Sequence, residues 1–314
     1  MSDLKVYGVH RVMENAAVHM AVHSMSGGKN KVYNGGAAYL VGTDASMNPA
    51  AMVQSKDQLV TETPEALADL AMNADTQLLR YSWKRPDMRV LFNVTRGYYE
   101  IIARKSHGIL KPSDLKGKKV GTYPRTSAAY FLAKELEHYG MKEEDVTIVP
   151  LAPELAISQA LIDNELDAVA IWEPAAQHAK EGITDDAIIF HRKESYFLPL
   201  GCNTTLAAIS DPEKRKQIVT FIQHLIRASK KMKEDPNEGI DFLVKASGFD
   251  RGLVARCLHP ALDFCAQIEP NQLDVLVEQE VWVAKEQNRA PRSREQLATL
   301  IDTSVYNEAV AGMK

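Results

Sequence analysis

The chain has 314 residues, 45% of them hydrophobic and 25% charged, with a formal net charge of −4. That is ordinary globular composition, long enough for two cores, and it excludes a disordered or fibrous protein. The charge balance lacks the clustered basic excess of a nucleic-acid partner. No apolar run approaches the ~20 residues that span a bilayer.

The first residues, MSDLKVYGVH, lack a basic segment followed by the ~7–15-residue apolar stretch of an export signal. Two expectations follow. A protein whose signal was removed would be periplasmic or cell-surface; a sequence complete as given would be cytoplasmic. Leu4 to His10 reads as the first strand and Asn15 to Met25 as a helix. Ser26 to Asn30 is a turn, and Val32 to Val41 a second strand region interrupted at Gly35-Gly36. Asn48 to Gln58 and Pro64 to Met72 read as helical, the second with proline at its first position. Asp75 to Tyr81 is ambiguous. Met88 to Val94 and Gly97 to Ala103 are strands.

Ser113 to Pro174 carries the clearest pattern. Lys118 to Tyr123 is a strand. Thr126 or Ser127 caps a helix on which Ala129, Phe131, Leu132, Leu136 and Tyr139 recur at helical spacing, and Gly140 suits its left-handed end. Val146 to Val149 is a strand, Leu155 to Ile162 a helix and Ala168 to Trp172 a strand. This alternation predicts an α/β fold with a parallel sheet and right-handed crossovers. Ligands of such sheets bind beyond the carboxyl ends of the strands. Those ends carry Tyr123-Pro124-Arg125-Thr126-Ser127 and Trp172-Glu173-Pro174. Helices follow over Asp211 to Lys233, Asn237 to Ala246, Asp250 to Leu258, Pro270 to Gln287 and Arg294 to Ser304.

The DLKGKKVGT run, the small residues that start the next helix, and ALIDNELDAVAIWEP, in this order and spacing, resemble type-2 periplasmic solute-binding proteins. The similar subgroup is the one that takes nitrate, sulfonates, taurine and thiamine precursors. The resemblance implies a two-lobed fold with a ligand cleft between discontinuous lobes. The first lobe would comprise residues 1–98 and 200–314, the second residues 99–199. The chain would cross between Asn93 and Tyr99 and return near Leu198 to Thr205. Ligand binding would then close the lobes by hinge motion.

Several residues are candidates for the ligand site. Arg125, Thr126 and Ser127 sit at a helix N-terminus, which favours anions, and Arg125 offers a bidentate contact. The alternative is a plain helix cap beside a solvated arginine. Glu173 either accepts hydrogen bonds from a ligand or starts the next helix. Trp172 either stacks on a ligand or fills the core. His10 lies where the first strand meets the cleft, and Asn15, in its loop, either contacts ligand or caps the helix that follows. Asn203 is a candidate polar group where the chain re-enters the first lobe. Arg80, Tyr81, Trp83 and Arg96 either line the cleft or lie on the surface.

His19 and His23 share one helix face, a spacing that can ligate zinc. With no third ligand and no HExxH, no metal is expected, nor is a cofactor. Cys202, Cys257 and Cys265 fit no zinc pattern. Two are expected as thiols in the helical region Val254 to Ala266, where eight residues of helix would hold them ~12 Å apart, too far for a disulfide. The third is expected in a strand.

The resulting expectation is a small-molecule binding protein for an organic anion, partnered by an ABC permease if exported. The alternative is a cytosolic lyase, decarboxylase or desulfinase on the same fold, using His10 and Cys202. The desulfinases of this fold carry their cysteine in the first loop after strand one, and the loop here, HRVMEN, has none. The cysteine-rich motif of the fungal thiamine-pyrimidine synthases is absent too.

Overall fold

A computed structural model describes residues 4–41, 67–190, 198–258 and 262–313. The chain divides into two compact units, whose boundaries among the described residues fall between Gly97 and Tyr98 and between Leu198 and Pro199. Ten strands build two five-stranded sheets among the described residues. They are β1 (Val6–Tyr7), β2 (Leu70–Ala74), β3 (Met88–Gly97), β4 (Glu100–Arg104), β5 (Lys119–Thr122), β6 (Thr147–Pro150), β7 (Ala168–Ile171), β8 (Ala187–Phe190), β9 (Leu198–Thr205) and β10 (Leu262–Asp263).

The first unit has strand order β1-β2-β9-β3-β10. β1 and β2 are parallel, with Val6 opposite Leu70, and β9 runs antiparallel to β2, with Asn203 opposite Ala71. Its core joins Val18, Met72, Phe221, Leu225 and Val305. Full burial of such side chains contributes roughly 1.5–3 kcal/mol each. Helices Ala16–Ser26 and Pro212–Glu234 supply much of it. The longer helix starts as its sequence dictates, with Asp211 Oδ1 accepting from the backbone N–H groups of Glu213 and Lys214 and proline in the first turn. Separately, helix Asp75–Ser82, buried at all eight positions, packs on helix Gln272–Glu286.

The second unit has strand order β6-β5-β7-β4-β8. β5 is parallel to both β6 and β7, and β4 is antiparallel to β7 and β8. Helices Ser127–His138, Glu154–Ile162 and Ala175–Ile183 follow β5, β6 and β7 in turn. Gly140, at φ +72°, ends the first of these helices.

At the amino ends of these strands the signature residues hold one another. Asp167 accepts from the Lys119 N–H at 2.7 Å and lies 2.6 Å from His107 Nδ1. His107 Nε2 meets Asn164 Oδ1 at 2.9 Å, and Lys118 Nζ donates to the His107 carbonyl at 2.7 Å. Gly117 takes φ +77°, a left-handed turn that a side chain would strain. Burial works to raise the Asp167 pKa, but the Lys119 N–H and His107 hold it below its ordinary value.

Several expectations are corrected. Val32 to Val41 is not a strand: Tyr33 makes one isolated bridge with Tyr7, and Ala38–Val41 is helical. Gly35 lets the chain turn there, since a Cβ on it would meet the Tyr39 ring at 2.2 Å. The expected helix Pro64 to Met72 is strand β2 from Leu70 onward, because a strand buried on both faces shows no alternation. Asn48 to Gln58 lies outside the described residues. The ambiguous Asp75 to Tyr81 is helical. Arg294 to Ser304 resolves into two shorter helices, Arg294–Ala298 and Ser304–Ala311. Cys257 is buried in a helix, whereas Cys265 is half-buried beyond β10, and both are free thiols.

Candidate functional site

The second unit concentrates helix N-termini on one sheet edge. Parallel strands β6, β5 and β7 end at Pro150, Thr122 and Ile171, and helices begin at Glu154, Ser127 and Ala175. Each terminus presents N–H groups without intrahelical acceptors and about half a positive charge. Thr126 caps its helix as expected: its Oγ1 accepts from the Ala128 N–H at 3.2 Å and donates to the Tyr123 carbonyl at 2.8 Å. Arg125, between them, is half-buried and takes φ +57°. Left-handed backbone is costly for a residue with a side chain, so the turn must hold it there.

Aromatic residues join these turns. Trp172 stacks on Tyr123 with ring centroids 5.8 Å apart and meets Tyr99 edge-on at 5.8 Å. Tyr99 Oη lies 2.6 Å from Ser127 Oγ. Thr126, Ser127 and Trp172 are therefore brought together through Tyr123, which the sequence places at this strand end, and through Tyr99, which sequence reasoning missed. The Trp172 Nε1–H is buried and has no hydrogen-bond acceptor among the described residues. Burial, then the Glu154 charge, pushes the Tyr123 phenol up to about 12.

Glu173 takes its helix-starting alternative. Its buried carboxylate accepts from the Gln177 N–H at 2.7 Å and from Lys180 Nζ at 3.1 Å. Lys180 also donates to Glu100 at 2.7 Å. Burial raises the Glu173 pKa against the pull of Lys180 and the Gln177 N–H.

The first unit holds the remaining candidates, and most are already occupied. His10 donates its backbone N–H to Asn34 Oδ1 at 3.1 Å, and its Nε2 lies 2.9 Å from the Val32 carbonyl. A ring nitrogen facing a carbonyl must donate, which leaves Nδ1 as the acceptor of the neutral ring. His19 packs against it with centroids 5.4 Å apart. Burial, then the His10 charge, lowers His19 to a pKa of about 4, whereas His23 is exposed. Asn15 does not cap helix Ala16–Ser26: its Nδ2 reaches back to the Val9 carbonyl at 3.0 Å. Asn203, fully buried, donates to the Ala71 and Gly201 carbonyls at 3.2 and 3.0 Å.

The other candidates serve the first unit's own packing. Cys202 faces the core, where burial pushes its pKa up and disfavours the thiolate a nucleophile needs. Arg80 pairs with Glu286 at 2.5 Å, and Arg96 pairs with Asp263. Tyr81 is buried, and Trp83 lies half-exposed under the Arg289 guanidinium at 4.5 Å.

Comparison with known proteins places this geometry in context. The family model described as NMT1/THI5-like matches residues 46–239. A Brucella abortus protein provisionally named a binding protein is 27% identical over 152 residues, which are 46% of this chain. The match spans 45% of that curated relative's own length. The alkanesulfonate-binding protein SsuA of Xanthomonas axonopodis, solved with MOPS, is 17% identical with TM-score 0.66, covering 95% of this chain and 97% of that one. The nitrate-binding protein NrtA of Synechocystis is 10% identical with TM-score 0.64, covering 99% and 89%. The desulfurization enzyme DSZB is 11% identical with TM-score 0.59, covering 100% of both chains. At these identities the likeness is one of fold, shared here by binding proteins and an enzyme.

Proposed function

Because this chain belongs to the NMT1/THI5-like family, we propose that it is the substrate-binding protein of an ABC-type uptake system and captures a small organic anion. The observation that carries this reading is the carboxyl edge of the second unit's parallel strands. Three helix N-termini meet there with Arg125 and with the buried, acceptor-free Trp172 Nε1–H. All of these are hydrogen-bond donors or positive potentials, which suit a sulfonate, carboxylate or similar oxyanion. Glu173 adds no competing charge to that reading, since Lys180 and the Gln177 N–H already engage it. Capture is accompanied by the hinge closure expected of a discontinuous chain path. The protein works in the periplasm or at the cell surface and passes its ligand to a permease.

The His10–Cys202 enzyme alternative draws no support from this geometry. His10 Nε2 is spent on a carbonyl, and Cys202 is buried among apolar side chains. Native mass spectrometry of freshly purified protein, followed by calorimetry with the co-purified compound, tests the proposal. Arg125→Ala should weaken binding of that anion by about 1.5–3 kcal/mol, the range for hydrogen bonds to a charged group. Unchanged affinity would remove Arg125 from the site, and a covalently altered product in place of a bound ligand would overturn the binding-protein reading.

A further inference from the structure

Asp75 stands apart from every residue invoked so far. It follows β2 directly as the first residue of helix Asp75–Ser82 and is fully buried. Among the described residues, Gln272 Nε2 donates to Asp75 Oδ2 at 2.7 Å, while Oδ1 is buried without a partner. Gln272 in turn accepts from Asn93 Nδ2 at 2.6 Å, linking the carboxyl to β3. A Cβ on Gly201 of β9 would lie 3.3 Å from Asp75 Oδ1, so backbone closes over that oxygen.

Among the described residues, the groups placed against Asp75 are uncharged: Gln272 from helix Gln272–Glu286, Asn93 from β3 and Gly201 from β9. Of the charged groups on the same helix pair, Arg80 pairs with Glu286, Glu280 pairs with Arg289 and Arg292 from beyond the helix, Asp274 pairs with Arg294, and Glu278 and Lys285 complete the set. Arg80 is five residues on, about 7.5 Å along the helix axis, and Glu280 is eight residues beyond Gln272. The helix N-terminus favours an ionised carboxylate. One amide hydrogen bond does not replace the hydration that a carboxylate loses here.

We propose that Asp75 is a pH-sensitive latch: helix Asp75–Ser82 stays docked on helix Gln272–Glu286 while the carboxyl keeps its proton, and opens to let the proton leave to solvent. Burial raises the Asp75 pKa from 3.8 to about 7, against the pull of Gln272. The sign follows from linkage. The docked state binds the proton more tightly than the opened state, so docking is strongest at low pH and weakens as pH rises toward 7. The inference does not depend on what ligand the protein carries.

Hydrogen exchange on the whole protein, without ligand, tests it. Amides of helix Asp75–Ser82, corrected for intrinsic exchange rates, should lose roughly a hundredfold in protection between pH 5 and pH 8, as pKa values of 3.8 and about 7 require. Asp75→Asn keeps the shape and the Gln272 contact, and its protection should be flat over that range. An equal fall in Asp75→Asn, or no fall in the wild type, overturns the latch. If the variant does not fold, the wild type still decides. Carboxyl carbon resonances from aspartate-labelled protein should include one that titrates near neutrality, and none above about pH 5 would overturn the proposal.

Discussion

Trp172 shows how differently the parts of one site can be read. Its place after the third strand of an alternating pattern is legible, and so is a threonine cap at Thr126. The acceptor-free Nε1–H and the Tyr99–Ser127 contact at 2.6 Å are not, because they join positions far apart in the chain. Glu173 was legible in both of its roles, but the choice between them rests on Lys180 and Gln177 meeting it on one helix. Asp75 was illegible, since a buried, unpaired carboxyl runs against every expectation from composition. Trp172→Phe keeps an aromatic ring against Tyr123 and removes only the N–H. Affinity for the bound anion should fall about tenfold, the scale of one neutral hydrogen bond, with the melting temperature nearly unchanged. A variant that binds as tightly as the wild type would show that the indole serves packing alone.

At the level of elements, helices were read more accurately than the short strands. Helix Pro212–Glu234 announces itself through Asp211, Pro212 and a sustained period. β2 does not, because burial on both faces hides the alternation, and β10 has only two residues. The contact between helices Asp75–Ser82 and Gln272–Glu286 was equally hidden, since it uses polar groups. Glu280, 1% exposed, accepts from Arg289 at 2.5 Å and from Arg292 Nη2 at 2.9 Å. Arg292 also reaches Ser82 Oγ at 2.8 Å and the Leu79 carbonyl at 2.8 Å. Burial opposes ionisation of Glu280, but the two arginines hold its pKa below the ordinary value. Removing one partner of a buried ion cluster strands the others. Glu280→Ala should therefore destabilise the first unit by about 3–5 kcal/mol, measured by denaturant unfolding. A loss below ~1 kcal/mol would mean that water solvates the arginines.

Among the described residues the chain passes from the first unit to the second after Gly97 and back after Leu198, and each unit has its own sheet and core. A ligand that binds only the folded protein must stabilise it by mass action. At a hundredfold excess over its Kd that amounts to about 2.7 kcal/mol, visible as a concentration-dependent rise in melting temperature. A co-purified compound that leaves the melting temperature unmoved at saturation is not the ligand.

The clasp of Asp167, His107, Asn164 and Lys118 has one more consequence. It closes the amino ends of the same strands whose carboxyl ends carry Tyr123 to Ser127 and Trp172 to Pro174. Part of what makes this chain recognisable, Gly117 to Lys119 and Asn164 to Asp167, thus stands apart from the turns proposed to meet the anion, while Trp172-Glu173-Pro174 belongs to both. Substitutions in the two turns proposed to face the anion therefore leave the amino-end clasp, and the strand register it fixes, untouched.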